Sequence, residues 1–311
     1  MDLYKGYLSD VPGIIVGHAQ DFVGMTGVTV AICEKGAVGG VDVRGSAPGT
    51  RETDLFQAEK SVDRVHAIVL SGSSAFGLSA SSGVMDYLAE KKIGLEVLGQ
   101  IVPIVAQAVI FDLGIGDSAI KVNWEMGFEA AKNACVEENR QGNIGAGTGA
   151  TVGKILGQEY AMKAGLGSAS VKAGDLVVSA MVAVNAIGDV FDFDNQIIAG
   201  ALNPQGQGFL NTAEYYKKSA VQMESGNTTI GIIATNAKLS KAQANKTAQL
   251  AQNALARRIV PAHTAFDGDT IFVMATGEIE SDITLVGILA VEAMEKAIIN
   301  AINSVKDRMF S

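Results

Sequence analysis

Six short runs in this chain are rich in Val, Ile and Thr and apolar at nearly every position: residues 27–33 (GVTVAIC), 65–71, 101–111, 176–188, 228–237 (TTIGIIATNA) and 269–277. A strand that alternates apolar and polar residues can leave one face in water, but a strand apolar on both faces must be covered on both. That requirement constrains the fold more than any other feature, because it demands at least one further layer on each side of the sheet. Helical stretches suited to that cover lie between and after the strands. One is predicted to begin at Ser281, with Leu285, Ile288, Leu289, Met294, Ile298 and Ile302 as its apolar stripe; another begins near Ser240 and carries Ala248, Leu250, Ala251, Ala254 and Leu255. The class expected is layered α/β. With 48% hydrophobic and 18% charged residues and 36 glycines, the composition excludes disorder and suits close backbone packing.

A formal charge of -9, with no Lys/Arg cluster interleaved with aromatics, excludes a nucleic-acid partner. The first residues, MDLYKGYLSDVPG, have neither the basic nor the apolar region of a secretory signal, so a cytoplasmic protein is expected. The longest uncharged runs, 97–111 and 176–188, are too short to span a membrane and contain Pro103, Gln107 and Asn185. Cys33 and Cys135 stand in unrelated contexts and are expected to be core thiols. The polar stretch 203–227 interrupts the strand pattern and is expected to be an exposed connection ending where Thr228 opens an apolar strand.

Several constellations fail on spacing. The segment 145–154 (GAGTGATVGK) has Thr148 where a phosphate loop needs its first glycine and Ile155 where it needs Ser or Thr, and no clean strand precedes Gly145 as a dinucleotide site requires. His18, His66 and His263 are solitary and there is no HExxH, so no metal is implied; Asp189, Asp192 and Asp194 are expected to form a solvated turn. No serine sits in G-x-S-x-G, and the run SGSSAFG at 71–77 is expected to cap the helix after it.

What remains is Thr228. A threonine hydroxyl is a weak nucleophile, and without a histidine one way to activate it is a free α-amine on the same residue, which requires cutting the chain just before it. An α-amine with a pKa near 7.7 to 8.0 suits proton transfer at neutrality. Locally, Thr228 reads equally as an ordinary β-branched residue opening a strand.

The chain resembles the self-processing L-aminopeptidase/D-Ala-esterases, β-aminopeptidases and nylon-oligomer hydrolases, a family of N-terminal-nucleophile-type hydrolases. The matching segments, in family order over about residues 11–280, are VPGIIVGHA (11–19), VDVRGSAPGTRETDLF (41–56), SGSSAFGLSASSGVMDYL (71–88), IVPIVAQAVIFDLGIGD (101–117), GAGTGATVGK (145–154), DLVVSAMVAVNAIGD (175–189), NTTIGIIATNAKL (227–239) and HTAFDGDTIFVMATGE (263–278). The resemblance implies a four-layer α-β-β-α sandwich formed by a single domain, residues 1–311, that cuts itself between Asn227 and Thr228 into fragments 1–227 and 228–311. It implies Thr228 as nucleophile, Asp267 and Asp269 orienting its hydroxyl and α-ammonium, Asn185 donating to the oxyanion, and Lys154 tuning the nucleophile. It implies no cofactor, and assembly as a homotetramer of processed pairs.

Where peptidase members have a tyrosine before an aspartate, this chain has Phe111 before Asp112, so a phenolic donor is missing from the substrate-binding region. On residue type alone, Lys154 also fits a surface lysine, Asp267 and Asp269 a turn around Gly268, and Asn185 a partner for backbone groups left open at a strand end. An amide in a strand as apolar as VSAMVAVNAIG costs on the order of 1 to 3 kcal/mol unpaired, so Asn185 must bond something. The substrates implied are small peptides or amides with a free amino terminus, or linear oligomers of the 6-aminohexanoate type. Acyl transfer to an amine such as ornithine is the alternative chemistry, and ligand binding at 145–154 the non-enzymatic one.

Overall fold

In the computed structural model, residues 3–219 and 226–305 are described. Eight strands and four helices position the site: β1 (Ile15–Asp21), β2 (Thr26–Val43), β3 (Arg64–Ser71), β4 (Val105–Val109), β5 (Leu166–Ala173), β6 (Leu176–Asn185), β7 (Thr228–Ala237), β8 (Thr270–Ile279), α1 (Ala80–Glu90), α2 (Trp124–Lys132), α3 (Lys241–Arg258) and α4 (Ile283–Asn303). They join in one nine-stranded sheet of order β5-β6-β7-β8-β2-β3-β4, with Thr50–Arg51 outside β4 and β1 paired to β2. Two pairs are parallel, β7 with β8 and β3 with β4, and each is bridged by a helical crossover, α3 and α1 respectively.

The strand β2 is 18 residues long, and this length makes the layers. Its first half pairs with β1 and β3, its second half with β8. Between the halves the register with β3 shifts from Ile32 to Ala37, and Gly36 takes φ +72, a conformation that residues with a Cβ rarely adopt. The sheet folds over there.

Side chains then sort by period two. Val28, Val30, Ile32, Ala67, Val69 and Val105 face α1 and α2. Ala31, Ile68, Leu70, Ala106, Met181, Ile230, Ile232 and Phe272 meet between the two half-sheets. Val178, Val182, Ile233, Ile271 and Val273 face α3 and α4. Helix, half-sheet, half-sheet and helix are the four layers that the resemblance implied. Its two sheets, however, are halves of one hydrogen-bonded sheet.

The helices start at caps legible in the sequence. Ser240 and Gln243 form a reciprocal capping box at α3, and the Asp282 carboxylate accepts from the Thr284 and Leu285 N–H groups at α4. Other expectations shift. The run 101–111 breaks at Pro103, which has no N–H for a ladder: Gln100–Val102 pairs with Leu95–Val97, and only Val105–Val109 enters the main sheet. In α4 the buried face carries Ala290, Ala293 and Ala297 beside Leu289, Met294, Ile298 and Ile302, whereas Leu285 and Ile288, expected in the apolar stripe, are exposed. Cys33 is buried as expected, but Cys135 is exposed. Within 203–227 a helix forms at Thr212–Ser219, and the stretch between it and Gly226 lies outside the described residues. Among the described residues no helix is long and apolar enough to cross a membrane.

Candidate active site

The register of β6 against β7 pairs Asn185, the last residue of one, with Thr228, the first of the other. On the opposite side β7 runs parallel to β8, so the residues before β8 travel beside those before β7. Asn227 bridges to Asp267, the Gly268 N–H donates to the Asn227 carbonyl at 3.1 Å, and Asp269 Oδ1 accepts the Thr229 N–H at 2.7 Å. Thr228 is thus flanked by Asn185 on one side and the Asp267-Gly268-Asp269 turn on the other. The Thr228 hydroxyl donates to the carbonyl oxygen of Asn227. Both residues are buried.

Lys154 enters from the Gly-rich segment, which is anchored by N–H groups of Gly153 and Lys154 on the Gly188 and Ile187 carbonyls. Its Nζ lies 2.9 Å from both the main-chain oxygen and Oδ1 of Asn185, and 3.4 Å from the Gly226 carbonyl. Burial pushes its pKa down to about 7, against the upward pull of the Asp267 and Asp112 carboxylates. A neutral lysine amine has two hydrogens and one lone pair, so with both hydrogens on the Asn185 oxygens it gives up only the longer contact to Gly226. The lone pair is left for a proton.

Asn185 is wholly buried and its amide is satisfied within the protein. Oδ1 accepts from Lys154 and, at 3.0 Å, from the Thr151 N–H; Nδ2 donates to the Phe111 carbonyl at 2.9 Å, leaving one hydrogen of its two. The burial cost that demanded a partner is therefore met without an oxyanion. Asp267 is pushed up to about 6, by burial first and then by the nearby Asp269 charge, while its Oδ2 accepts the Thr264 N–H at 2.8 Å. Asp269 Oδ2 accepts the His263 N–H at 3.0 Å and lies 2.8 Å from His263 Nδ1.

His263 reads as solitary in the sequence, yet the turn brings it onto Asp269. It has φ +56, unusual for a residue with a Cβ. Its spacing of six residues from Asp269 was the one available signal.

A cavity of about 170 Å³ opens beside this cluster, walled by Phe111, Ile115 and Ile187 and reaching Thr151, Lys154 and Asn227. Phe111 is 40% exposed, and its ring covers Gly226, where an added Cβ would come 2.9 Å from Cδ1. Asp112 is pinned: Oδ1 accepts the Ser73 N–H and Oδ2 the Thr26 hydroxyl, both at 2.7 Å, and burial raises its pKa to about 6. Ser73 serves that contact, with its hydroxyl accepting the Val122 N–H, and does not cap the following helix as expected. The three aspartates after β6 also separate: Asp189 is buried, holding the N–H and hydroxyl of Thr212, while Asp192 closes a turn. Among the described residues no His, Cys, Asp and Glu cluster could hold a metal ion.

The family model described as Peptidase family S58 matches residues 7–308. An uncharacterized aminopeptidase of Mycobacterium leprae is 41% identical over 301 residues, covering 89% of this chain and 80% of the relative. The 6-aminohexanoate-oligomer endohydrolase of Paenarthrobacter ureafaciens is 32% identical over 313 residues, covering 94% and 84%. Among solved structures, the L-aminopeptidase D-Ala-esterase/amidase of Ochrobactrum anthropi, described as a variant of the Ntn hydrolase fold, superposes with a TM-score of 0.72 at 17% identity, covering 98% of this chain and 88% of that one.

Proposed function

The chain belongs to peptidase family S58 and is a hydrolase of amide or peptide bonds; from that premise we propose that it cuts its own backbone between Asn227 and Thr228 and then uses Thr228 as an amino-terminal nucleophile. The observation that carries this reading is the buried Thr228 hydroxyl on the carbonyl of the bond to be cut, opposite a strand partner, Asn185, that holds an amine with a pKa of about 7.

Before cleavage there is no α-amine to act as base. Lys154, half unprotonated near pH 7, takes that part. Its lone pair accepts the Thr228 hydroxyl proton as Oγ1 bonds to the Asn227 carbonyl carbon. The tetrahedral intermediate expels the Thr228 nitrogen, which receives the proton back from Lys154. An ester now joins Asn227 to Thr228 Oγ1, and water opens it to give fragments 1–227 and 228–311.

The new terminus stays in place because its neighbours hold it. The Thr229 N–H remains on Asp269, which is braced by His263, and β7 remains between β6 and β8. For external substrates the Thr228 α-amine serves as base, Asp267 and Asp269 orient it, and the free hydrogen of Asn185 Nδ2 meets the substrate oxyanion. Acyl-enzyme formation and its hydrolysis repeat the chemistry of self-cleavage. The apolar walls at Phe111, Ile115 and Ile187 suit a short hydrocarbon acyl chain. Substrates are small peptides or linear amide oligomers, in keeping with the aminopeptidase and 6-aminohexanoate-oligomer endohydrolase relatives. No observation favours acyl transfer to an amine.

Intact-mass measurement of the wild type beside Thr228→Ala tests the reading. The wild type is expected as two fragments that hydrolyse amides, the variant as one inactive chain. A fully active wild type that stays uncut, or an active alanine variant, overturns it.

A further inference from the structure

We propose that the oxyanion of the self-cleavage step is held by the backbone N–H of Gly268, so that the first and later reactions of Thr228 use donors on opposite sides of its strand. This rests on the self-processing reading above. When Thr228 Oγ1 bonds to the Asn227 carbon, the carbonyl π electrons move onto the Asn227 oxygen. The Gly268 N–H points at that oxygen from 3.1 Å before the reaction begins. A donor that already faces the site of developing charge needs no reorganisation as the charge forms. Asn185 has one Nδ2 hydrogen on the Phe111 carbonyl and its oxygen on Lys154 and Thr151, and its other hydrogen is the one assigned above to the substrate oxyanion.

The Gly268 donor is also held rigidly. The Asp267 carbonyl accepts the Ala47 N–H at 2.9 Å, the Asp269 carbonyl accepts the Arg44 N–H at 2.9 Å, and the Thr270 hydroxyl donates to the Gly268 carbonyl at 2.9 Å. The residue has to be glycine for want of space. A Cβ there would lie 2.8 Å from the Ala47 oxygen and 3.0 Å from Thr228 Oγ1, in the path of the nucleophile. The main-chain carbonyls on either side of Gly268 therefore fix the peptide that carries the donor.

The test replaces one backbone N–H by oxygen: Gly268→glycolic acid, introduced by nonsense suppression, gives an ester that keeps the shape and removes the donor. Cleavage between Asn227 and Thr228 is followed by intact mass over time, with and without hydroxylamine, which cuts a Thr228 ester if one accumulates; fragment mass separates this from cleavage of the introduced ester between Asp267 and residue 268. The expected result is division slowed about 10²- to 10³-fold, not restored by hydroxylamine because the ester forms too slowly, with the pH inflection unchanged because an N–H does not titrate. A thermal melt reports whether the backbone-ester chain is folded. Should it not be, Thr270→Val, which frees the Gly268 carbonyl while keeping the side-chain shape, is expected to slow division several-fold, again at unchanged pH inflection. Division at the wild-type rate in the folded backbone-ester chain, or in Thr270→Val where that chain is unfolded, overturns the assignment to Gly268, as does rescue by hydroxylamine. A wild type that never divides overturns both this assignment and the reading beneath it.

Discussion

Lys154, half-buried, and Lys163, buried, lie close together in the sequence, and desolvation brings both to a pKa of about 7. Their surroundings differ. Lys163 Nζ donates to the carbonyls of Gly147 and Ala150, at 2.9 and 3.0 Å, and to that of Ala164, so all three hydrogens of its ammonium form are used on backbone. It ties the Gly-rich loop to the strand that follows. Lys154 has two short contacts, both to Asn185, and lines the cavity. A perturbed pKa by itself does not separate a structural lysine from a proton carrier. The closeness of its third acceptor does, together with access to a cavity: for Lys154 that acceptor is the Gly226 carbonyl at 3.4 Å, and the side chain lines the cavity.

Lys154→Met puts the largest strain on this comparison. Without the amine, division of the chain is expected to slow by at least about 10²-fold, read as the half-time of the two-fragment pattern on denaturing gels. If the variant divides normally, Lys154 is no more a base than Lys163. Lys163→Met is expected to act on stability instead, leaving the Ala164 carbonyl without its amine donor at a cost of about 1 to 3 kcal/mol. Calorimetry should show a lower Tm, and division should keep the wild-type pH inflection.

A smaller effect sharpens the assignment. Division of the wild type should rise with pH through an inflection near 7, where Lys154 loses its proton. Asn185→Asp places a carboxylate against that amine and favours its charged form, so the inflection should move up by about 1 unit or more. An unmoved inflection would detach the pH profile from Lys154. Equilibrium stability also depends on these two amines. An unfolded lysine binds its proton up to about pH 10.4, whereas both folded lysines lose theirs near 7. Between those limits the unfolded chain holds more protons, so stability should rise with pH in that window. The urea midpoint should rise less between pH 7 and 9 in Lys163→Met than in the wild type.

Much of the layered fold is legible because it depends on local pattern. Strands apolar on both faces call for cover on both, and Ser240 with Gln243 and Asp282 mark helix starts by their own hydrogen bonds. Strands β1 and β5 escape the pattern because their sequences, IVGHAQD and LGSASVKA, mix polar and small residues; pairing with β2 and β6 holds them in the sheet. Pro103 splits a run that hydropathy alone keeps whole.

Within the site, the sequence by itself determined which chemical groups are available: a β-branched hydroxyl opening an apolar strand, one lysine in a Gly-rich segment, an amide among apolar neighbours and two aspartates about a glycine. Tertiary structure alone decided how they meet. Antiparallel register placed Asn185 against Thr228, parallel register placed Asp267 beside Asn227 and so the Gly268 N–H on the Asn227 carbonyl, and burial made an ordinary lysine a weak base. The reason is physical. Every residue but proline carries a backbone N–H, so a catalytic one leaves no mark in the sequence, and desolvation is a property of all the atoms around a group rather than of the group itself.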